Sequence, residues 1–400
     1  MFFCGFRLSV ALNWFGTATA AVAVAGCVQS AVGASLLARF RRRERRSFPP
    51  SPADGLPPVT VLKPLHGDEP LLEDALDSFC RQNYPQFQII FGVQRTDDAA
   101  IAHVRHLQQR YPTLDLELVI DTTQHGTNRK IGNLINMYGL AKHDILVISD
   151  SDIHVDSAYL RNVVTTLLRP HIGLVTTLYA GLPATRSLIR QLCACQINHN
   201  FLPGVMMSRL LGRRDCLGAT MALRRETLTR IGGLTKLASH VADDAVLGHA
   251  VRDLGMDIAL APCMTWTTSG EASLREMLAH ELRWGRTVKN IEPVGYGLSS
   301  IQLPLFWVTI SLLCWGGTYG AWIFFGAVWA IRALAAVSID MTLGHLNLGV
   351  LPILPLREWL SAGVMVCSAR GQRVAWRGQT LHIQRHSAMT NLRQPLEPGD

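Results

Sequence analysis

The stretch DILVISDSD at residues 144–152 decides how the rest of this chain folds. Its apolar run, from Ile145 to Ile148, shows no polar alternation, which is typical of a parallel strand buried on both faces. Asp150 and Asp152 follow at the carboxyl end of the strand, where open α/β sheets bind their ligands. Two carboxylates one residue apart can hold a divalent ion bound to phosphate oxygens, although Asp and Ser also form ordinary solvated turns. The stretch therefore predicts a buried strand followed by a candidate metal site.

Short apolar strands alternate with helical patterns on both sides of this stretch. Further strands are predicted at residues 59–62, 87–93, 116–120, 173–178, 218–223 and 256–260, and helices at residues 99–111, 130–141, 157–168, 185–200, 225–231, 245–254 and 273–284, with one more carrying Leu72, Leu76 and Phe79. Such alternation implies βαβ units with right-handed crossovers and a mostly parallel sheet. We therefore predict an α/β fold.

The N-terminal region, residues 1–46, is predicted to be a membrane anchor with a basic flank. Residues 8–37 contain no charged residue, and about 20 apolar residues are enough to cross a bilayer core. Arginines follow at positions 39, 41, 42, 43, 45 and 46. The apolar run continues well past a signal-peptide core, so we expect an uncleaved anchor. The positive-inside rule places the arginines on the cytoplasmic side and the N-terminus outside.

The C-terminal region is predicted to hold further membrane segments, between residues 298 and 369. The apolar block 301–339 carries Arg332 as its one charge and is about twice as long as a single crossing, which predicts a helical hairpin. The run 359–367 is too short to span comfortably, so it is a re-entrant or interfacial element or one end of a further span. A basic tail, residues 370–400, indicates a cytoplasmic C-terminus.

Between these regions, a Pro-rich linker at residues 47–58 leads into a globular domain at residues 59–297, which we place on the cytoplasmic side. The chain is 48% hydrophobic and 17% charged, more apolar than most soluble proteins of 400 residues. Its net charge of +8 comes largely from the arginines near the membrane, which suits an anionic lipid surface. The sequence has no basic stripe interleaved with aromatic residues, so it does not predict nucleic-acid binding. We expect no disulfides. The chain is thus predicted to be a multi-pass protein of the inner (cytoplasmic) membrane.

Four motifs rich in charged residues occur in order along the predicted domain. They occupy residues 94–98, 150–152, 243–244 and 280–284, and are flanked by segments 62–65, 82–85, 128–134 and 218–225. This set resembles the membrane-bound, inverting glycosyltransferases of the ceramide glucosyltransferase type, and most closely their bacterial hopanoid-biosynthesis relatives. The resemblance covers residues 61–289. It implies a GT-A type nucleotide-sugar-binding domain with N-terminal and C-terminal transmembrane helices.

The resemblance and the chemistry of an inverting transfer together assign roles to the acids. The transfer needs a base on the acceptor side of the sugar, and Asp244, or as second choice Asp243, would take the proton from a lipid hydroxyl. Asp152 would bind Mg²⁺ or Mn²⁺ bridging the pyrophosphate, while Asp150 would position ribose or metal. Neutralising the charge of the leaving group is the main catalytic task.

Further residues are expected to contact the nucleotide-sugar. In the families that the chain resembles, an acid directly follows Val-Gln and contacts the uridine. Here Arg95 stands in that place, so the role passes to Asp97 or Asp98. Lys130, which enters the helix before the central strand, is a nucleotide ligand or else a solvated charge. Lys63, at the end of the first strand, is assigned to the same site.

The last motif lies on the predicted helix near the membrane. The families that the chain resembles have Gln or Arg at its first position, where this chain has His280, which can still donate a hydrogen bond to phosphate or acceptor. Arg283 can make paired hydrogen bonds to phosphate oxygens, and Trp284 offers an apolar face to the sugar or a wall against water. The histidine favours the hopanoid branch.

The sequence therefore predicts an enzyme that moves a sugar from a UDP-sugar to the hydroxyl of a membrane lipid. Transfer of N-acetylglucosamine to a hopanoid polyol such as bacteriohopanetetrol is the first hypothesis, and transfer of glucose to ceramide is the alternative. A processive polysaccharide synthase is disfavoured, because the few spans leave little material for a polymer channel. A silent membrane scaffold that only binds a nucleotide-sugar is a third hypothesis, because Arg95 replaces an acid.

Overall fold

The computed structural model of this protein describes residues 2–46, 55–371, 373–376, 379–383 and 389–391. Most of the predicted linker and parts of the predicted basic tail therefore lie outside the described residues. The chain divides into two compact units. The sheet unit comprises residues 41–186, 213–270 and 373–400, and the helical unit comprises residues 1–40, 187–212 and 271–372.

Two sheets contain all the strands of the described residues. The strands are β1 (Val59–Pro64), β2 (Phe87–Val93), β3 (Asp115–Ile120), β4 (Ile145–Ser149), β5 (Ile153–His154), β6 (Ile172–Pro183), β7 (Thr220–Arg224), β8 (Asp257–Ser269), β9 (Arg373–Trp376), β10 (Gln379–Ile383) and β11 (Met389–Asn391). The larger sheet has the order β3-β2-β1-β4-β7-β6-β8-β5, and the smaller one the order β11-β10-β9. The predicted central strand, β4, therefore lies inside the larger sheet.

The helices of both units are numbered along the chain. They are α1 (Phe2–Arg46), α2 (Leu72–Cys80), α3 (Ala100–Arg110), α4 (Arg129–Tyr138), α5 (Tyr159–Leu167), α6 (Leu188–Cys195), α7 (Leu202–Leu210), α8 (Arg225–Arg230), α9 (Asp243–Asp253), α10 (Leu274–Ile291), α11 (Pro293–Leu298), α12 (Pro304–Cys314), α13 (Tyr319–Leu343) and α14 (Leu354–Ala369). Most of the predicted helices are present within a few residues of their expected bounds.

Strand directions in the larger sheet differ between its two halves. β1 pairs in parallel with β2 and β4, and β2 pairs in parallel with β3, as the βαβ pattern predicts. β7 runs antiparallel to both β4 and β6, and β5 runs antiparallel to β8, so the second half is mixed although β6 and β8 are parallel. The sequence does not reveal this change, because a buried apolar run has the same pattern in either direction.

Helices cover both faces of this sheet. Val61 and Val147 belong to a core that includes residues of α2, α3 and α5. Leu62 and Ile148 belong to a second core with residues of α4, α8 and α9. Alternate residues of β1 and β4 thus enter opposite cores, which explains why these strands show no polar alternation. Burial of each such aliphatic side chain contributes about 1.5–3 kcal/mol to folding.

Among the described residues, three helices are long and apolar enough to cross a membrane. They are Val10–Glu44, Tyr319–Leu343 and Leu348–Ala369. The first confirms the predicted N-terminal segment. A fourth candidate is the bent pair Pro293–Gln302 and Pro304–Cys314, whose two helices meet at 69°. Because α12 alone has 11 residues, the predicted hairpin needs this bent pair as its first arm.

The third candidate span favours one of the alternatives left open for residues 359–367, namely that this run is one end of a further span. The run alone is too short to cross comfortably, but a 3₁₀ helix, Leu348–Ile353, continues into α14 to give 22 residues. Pro355 lies in the first turn of α14, where the missing N–H of proline leaves no helical hydrogen bond unmade. The prolines therefore do not end the segment.

The predicted helix at residues 185–200 is also different in the structure. α6 ends at Cys195, and a π-helical segment, Gln196–Phe201, connects it to α7. The apolar pattern predicts helix throughout, and it does not distinguish the wider π turn from an α turn.

Candidate active site

The turn after β4 carries the two acids that the sequence predicts as metal ligands. Asp152 is half-buried, and its Oδ2 accepts a hydrogen bond of 2.5 Å from Thr267 Oγ1. Burial, and then the nearby carboxylates of Asp150 and Glu69, raise the pKa of Asp152 to about 6. This carboxylate is thus in surroundings that disfavour its negative charge, which a bound cation would relieve.

Glu69 is a part of this cluster that the sequence analysis does not single out. Ser151 Oγ, between the two acids, donates a 2.6 Å hydrogen bond to Glu69 Oε2. Glu69 lies in the loop after β1, next to β4 in the sheet, so both loops leave the same edge. Its position after a parallel strand is the signal that points to it.

Lys63 supports the turn from within the protein. Its side chain is fully buried at the end of β1, and Nζ donates a 2.5 Å hydrogen bond to the main-chain oxygen of Asp150. Nζ also lies 4.0 Å from the centre of the Phe79 ring. Burial lowers the pKa of Lys63 to about 7, although Asp152 and Asp150 act in the opposite direction. The structure therefore places Lys63 beneath the main chain of the predicted site.

Lys130 connects two of the four motifs. Its Nζ lies 2.7 Å from Asp150 Oδ1 and 3.2 Å from Asp243 Oδ2. Burial alone would lower the pKa of Lys130, but the carboxylates of Asp150 and Asp243 outweigh it and raise the pKa above its usual range. The side chain is buried, so Lys130 is not the solvated charge that the sequence leaves open. Asn128 caps α4 by accepting a hydrogen bond from Ile131 N, which fixes the start of this helix.

Asp243 and Asp244 begin α9, as the sequence predicts. Asp244 Oδ1 accepts a 2.8 Å hydrogen bond from Ala245 N. Burial, and then the Asp243 carboxylate, raises the pKa of Asp244 to about 6, while Lys130 acts in the opposite direction. A Cβ atom at Gly218 would lie 3.2 Å from Asp244 Oδ2, so the glycine leaves room beside this carboxylate. The raised pKa makes the Asp244 carboxylate a stronger proton acceptor than an ordinary carboxylate.

The two candidates for the early acid have different surroundings. Asp98 is buried, and its Oδ1 accepts hydrogen bonds from Gly67 N at 2.9 Å and Ala100 N at 3.0 Å. Asp97 is exposed and forms a two-point pair with Arg95, at 2.9 and 2.6 Å. Asp98 therefore orders the loop after β1, whereas Asp97 is bonded to the residue that replaces the expected acid.

The last motif lies in the helical unit, on α10. Ser273 caps this helix by accepting a hydrogen bond from Glu276 N at 3.2 Å. His280 Nδ1 is hydrogen-bonded to Glu271 Oε1, and its ring lies edge-on to Trp284 with 4.5 Å between the ring centres. Burial raises the pKa of Glu271, but the bond to His280 reverses the shift and the pKa is lowered. Glu271, which the sequence analysis missed, thus orients the histidine.

Arg283 follows on the same helix, half-buried. With His280 and Trp284 it completes the predicted motif within one helix of the helical unit. The acids, Lys63 and Lys130 lie together in the sheet unit. Each group of predicted residues is therefore gathered locally by its own unit.

The acids fit a divalent cation that also binds phosphate. In the described residues no three His, Cys, Asp or Glu side chains converge as a complete ligand set. Mg²⁺ and similar ions bound with nucleotides often take only one or two carboxylates and obtain their other ligands from phosphate and water. Asp152, whose pKa is raised by its surroundings, and the adjacent Asp150 supply two such carboxylates.

Comparison with known proteins gives a family match over nearly the whole chain. The model of glycosyl transferase family 21 matches residues 18–389. Ceramide glucosyltransferase 3 of Caenorhabditis elegans is 23% identical over 242 residues, which cover 57% of this chain and 50% of the relative. Ceramide glucosyltransferase of Komagataella phaffii is 33% identical over 138 residues, covering 34% of this chain and 26% of the relative. The chain thus spans about half or less of the length of these relatives.

Among solved structures, one similar fold is the mannosyltransferase PcManGT from Pyrobaculum calidifontis in complex with GDP-Man and Mn²⁺. It is 22% identical, with a TM-score of 0.49, and the match covers 87% of this chain and 97% of that chain.

Proposed function

The chain belongs to glycosyl transferase family 21, and we propose that it transfers a sugar from a UDP-sugar to the hydroxyl of a membrane lipid with inversion at the anomeric carbon. The observation that carries this proposal is the arrangement of Lys130 between Asp150 and Asp243. This lysine joins the turn that we propose binds metal to Asp243, which directly precedes the proposed base, Asp244, at the start of α9. A transferase needs both, whereas a silent scaffold that only binds a nucleotide-sugar needs no base.

Asp244 is the proposed base. Its carboxylate would take the proton of the lipid hydroxyl as the hydroxyl oxygen attacks the anomeric carbon, and the bond from that carbon to the diphosphate would break. The raised pKa of about 6 supports this role, because it makes Asp244 a stronger base than an ordinary carboxylate while leaving it ionised at pH 7. Asp243 is held by Lys130 at 3.2 Å and is the weaker candidate.

We propose that the remaining residues bind and stabilise the leaving diphosphate. Asp152 and Asp150 would hold Mg²⁺ or Mn²⁺, which when bound neutralises phosphate charge. Lys130 would keep Asp150 oriented and add a positive charge at the site. Arg283 would donate paired hydrogen bonds to phosphate oxygens, and Trp284 would exclude water from the sugar. Asp98, rather than the exposed Asp97, is the proposed uridine contact, because its side chain is held in place by hydrogen bonds from Gly67 N and Ala100 N.

For the donor and acceptor we propose glucose and ceramide. The named relatives are ceramide glucosyltransferases, so the similarity favours this alternative over the hopanoid branch that His280 suggests. N-Acetylglucosamine transfer to a hopanoid polyol is the second candidate, and His280 is the observation that favours it. The candidate spans support a membrane protein that meets its lipid acceptor at the bilayer, and we propose a multi-pass protein of the cytoplasmic membrane with the sheet unit inside.

The test is a transfer assay with the purified chain in lipid nanodiscs, in a buffer that contains Mg²⁺ or Mn²⁺. Labelled UDP-glucose and UDP-N-acetylglucosamine are each offered with ceramide and with bacteriohopanetetrol. Labelled glucosylceramide that is absent with Asp244→Asn supports the main proposal, and a labelled hopanoid supports the second candidate. If the chain binds UDP but transfers sugar to neither lipid, both transferase proposals fail and the scaffold hypothesis replaces them.

A further inference from the structure

The helix that carries His280, Arg283 and Trp284 packs along the candidate span α14 by a different set of residues. At every fourth position α10 places a residue against α14, namely Met277, Glu281, Gly285 and Lys289. Residues four apart lie on one face of a helix. At about 100° per residue, Arg283 lies on the opposite side of α10 from this stripe.

Arg357 is the central contact of this stripe. It is 2% exposed, and its Nη2 atom lies 2.5 Å from Glu281 Oε2 and 3.0 Å from Ser361 Oγ. Its Nη1 atom lies 3.6 Å from Met277 Sδ. One guanidinium therefore contacts two successive turns of α10 and one turn of α14.

The C-terminal end of α10 also packs closely against α14. A Cβ atom at Gly285 would lie 2.5 Å from Ser368 Oγ and 3.3 Å from Ser368 Cβ, so the glycine lets the two helices approach closely here. Lys289 Nζ donates hydrogen bonds to the main-chain oxygens of Ala369 at 2.8 Å and Ser368 at 3.4 Å. The contact between α10 and α14 thus extends over several turns.

We propose that Arg357 is a positioning residue that, by pairing with Glu281, fixes the rotation of α10 and so the direction in which His280, Arg283 and Trp284 point. Glu281 lies between His280 and Arg283, so a rotation that breaks the pair moves the whole motif. The inference rests on the proposed function, since the motif matters only if it contacts the diphosphate or the acceptor.

An apolar contact would hold the helices together equally well, which makes the buried charges informative. Replacing a buried ion pair with apolar residues of similar size is often neutral or stabilising, whereas removing one partner leaves a buried charge without its counterion. An ion pair adds direction, because the guanidinium and carboxylate must meet in a defined geometry. Stability and positioning can therefore be separated by experiment.

The experiment compares Arg357→Met, Glu281→Met and the double variant in nanodiscs, measuring the melting temperature and the kcat for transfer to lipid. Each single variant should melt earlier and lose about tenfold or more in kcat, because small misplacements of binding groups cost rate heavily. The double variant should regain the melting temperature but keep the low kcat. Recovery of both by the double variant, or an unchanged kcat in Arg357→Met, would overturn the proposal.

A matched control is the pair Arg332 and Glu358, with Nε and Oε1 2.8 Å apart. Within the described residues, this pair also forms hydrogen bonds with His199, Asn200 and Leu305, which lie outside α10. Replacing both Arg332 and Glu358 by Met should recover the melting temperature and the kcat that either single replacement lowers. If the wild-type chain shows no transfer at all, the proposed function fails. Hydrogen exchange at residues 280–284 then tests the positioning role alone. Exchange should be faster in the double variant of Arg357 and Glu281 than in the wild type, and an unchanged rate would overturn the positioning role.

Discussion

Lys130 Nζ lies 2.7 Å from Asp150 Oδ1, so a residue from the start of α4 is bonded directly to the turn after β4. The same ammonium group reaches Asp243 Oδ2 at 3.2 Å. Replacement of Lys130 by Met leaves two carboxylates without their shared counterion. We expect a loss of about 1–3 kcal/mol in the free energy of unfolding, less than for a fully buried pair because Asp150 is partly exposed.

Activity should fall further than stability in Lys130→Met. We expect transfer to drop about 100-fold or more, because the turn that binds the diphosphate loses its orientation. Thermal melting and UDP release from the donor measure the two effects. Lys142→Met is the control, since Lys142 forms an exposed pair with Asp115 at 2.7 Å, which contributes little. Equal effects of the two replacements would contradict the assigned role of Lys130.

The second prediction concerns Asp244 and pH. A base works only when ionised, and the raised pKa of Asp244 is about 6. We therefore expect kcat/KM to rise with pH, about tenfold per pH unit below pH 6, and to level off above it. Asp244→Asn should lose about 10²–10⁴-fold in kcat while retaining UDP binding. A profile that is flat between pH 5 and pH 7 in the wild type would exclude Asp244 as the base.

How much of this site the sequence predicts depends on the range of the contacts. Asp150, Asp152 and Asp244 are predicted as site residues because each stands at a recognisable end of a strand or helix. Glu69 and Glu271 are not predicted, although Glu69 follows a parallel strand, because their contacts with Ser151 and His280 become visible only in the fold. Glu69 meets Ser151 across a separation of 82 residues, which no local pattern records.

The same limit applies to the fold itself. The alternation of β1 to β4 with helices predicts their parallel pairing, because each crossover is local. The antiparallel insertion of β7 between β4 and β6 depends on chain direction, which hydrophobic periodicity does not encode. In the helical unit, composition predicts apolar segments, whereas the 69° bend and the extension of α14 depend on how prolines fit into helix starts.

The third prediction separates metal binding from stability at Asp152. Because burial and neighbouring acids raise the pKa of Asp152 to about 6, its ionised form opposes folding at neutral pH. Asp152→Asn removes that charge and can still accept the hydrogen bond from Thr267. Without added metal, we expect the variant to be more stable than the wild type at pH 7.5, by roughly 1–3 kcal/mol.

Metal binding should change in the opposite direction. Titration with Mn²⁺ in the presence of UDP should show affinity at least tenfold weaker for Asp152→Asn, since one of two carboxylates is lost. Differential scanning calorimetry with and without metal measures both effects. An Asn variant that is less stable and binds Mn²⁺ normally would contradict the proposed metal site.

The fourth prediction tests how His280 acts. The Glu271 carboxylate accepts the hydrogen bond from Nδ1–H, so Nε2 donates a hydrogen bond to phosphate or acceptor when the ring is an imidazolium and accepts one when the ring is neutral. His280→Gln retains a donor and should keep transfer within about tenfold of the wild type. His280→Phe retains an aromatic ring beside Trp284 but no donor, and should lose about 10–100-fold, the cost of a hydrogen bond to a charged group.

The comparison of these two variants decides between a hydrogen bond and ring packing as the contribution of His280. Both keep the capped start of α10 and the stripe that faces α14, so their folding should match that of the wild type. Steady-state kinetics with saturating donor and varied lipid then show which substrate the residue serves: a change confined to KM for the lipid indicates the acceptor, and a change in kcat indicates the departing diphosphate. If Phe is as active as Gln, packing against Trp284 is the whole contribution of His280, and the difference from the Gln or Arg of related motifs has no catalytic meaning.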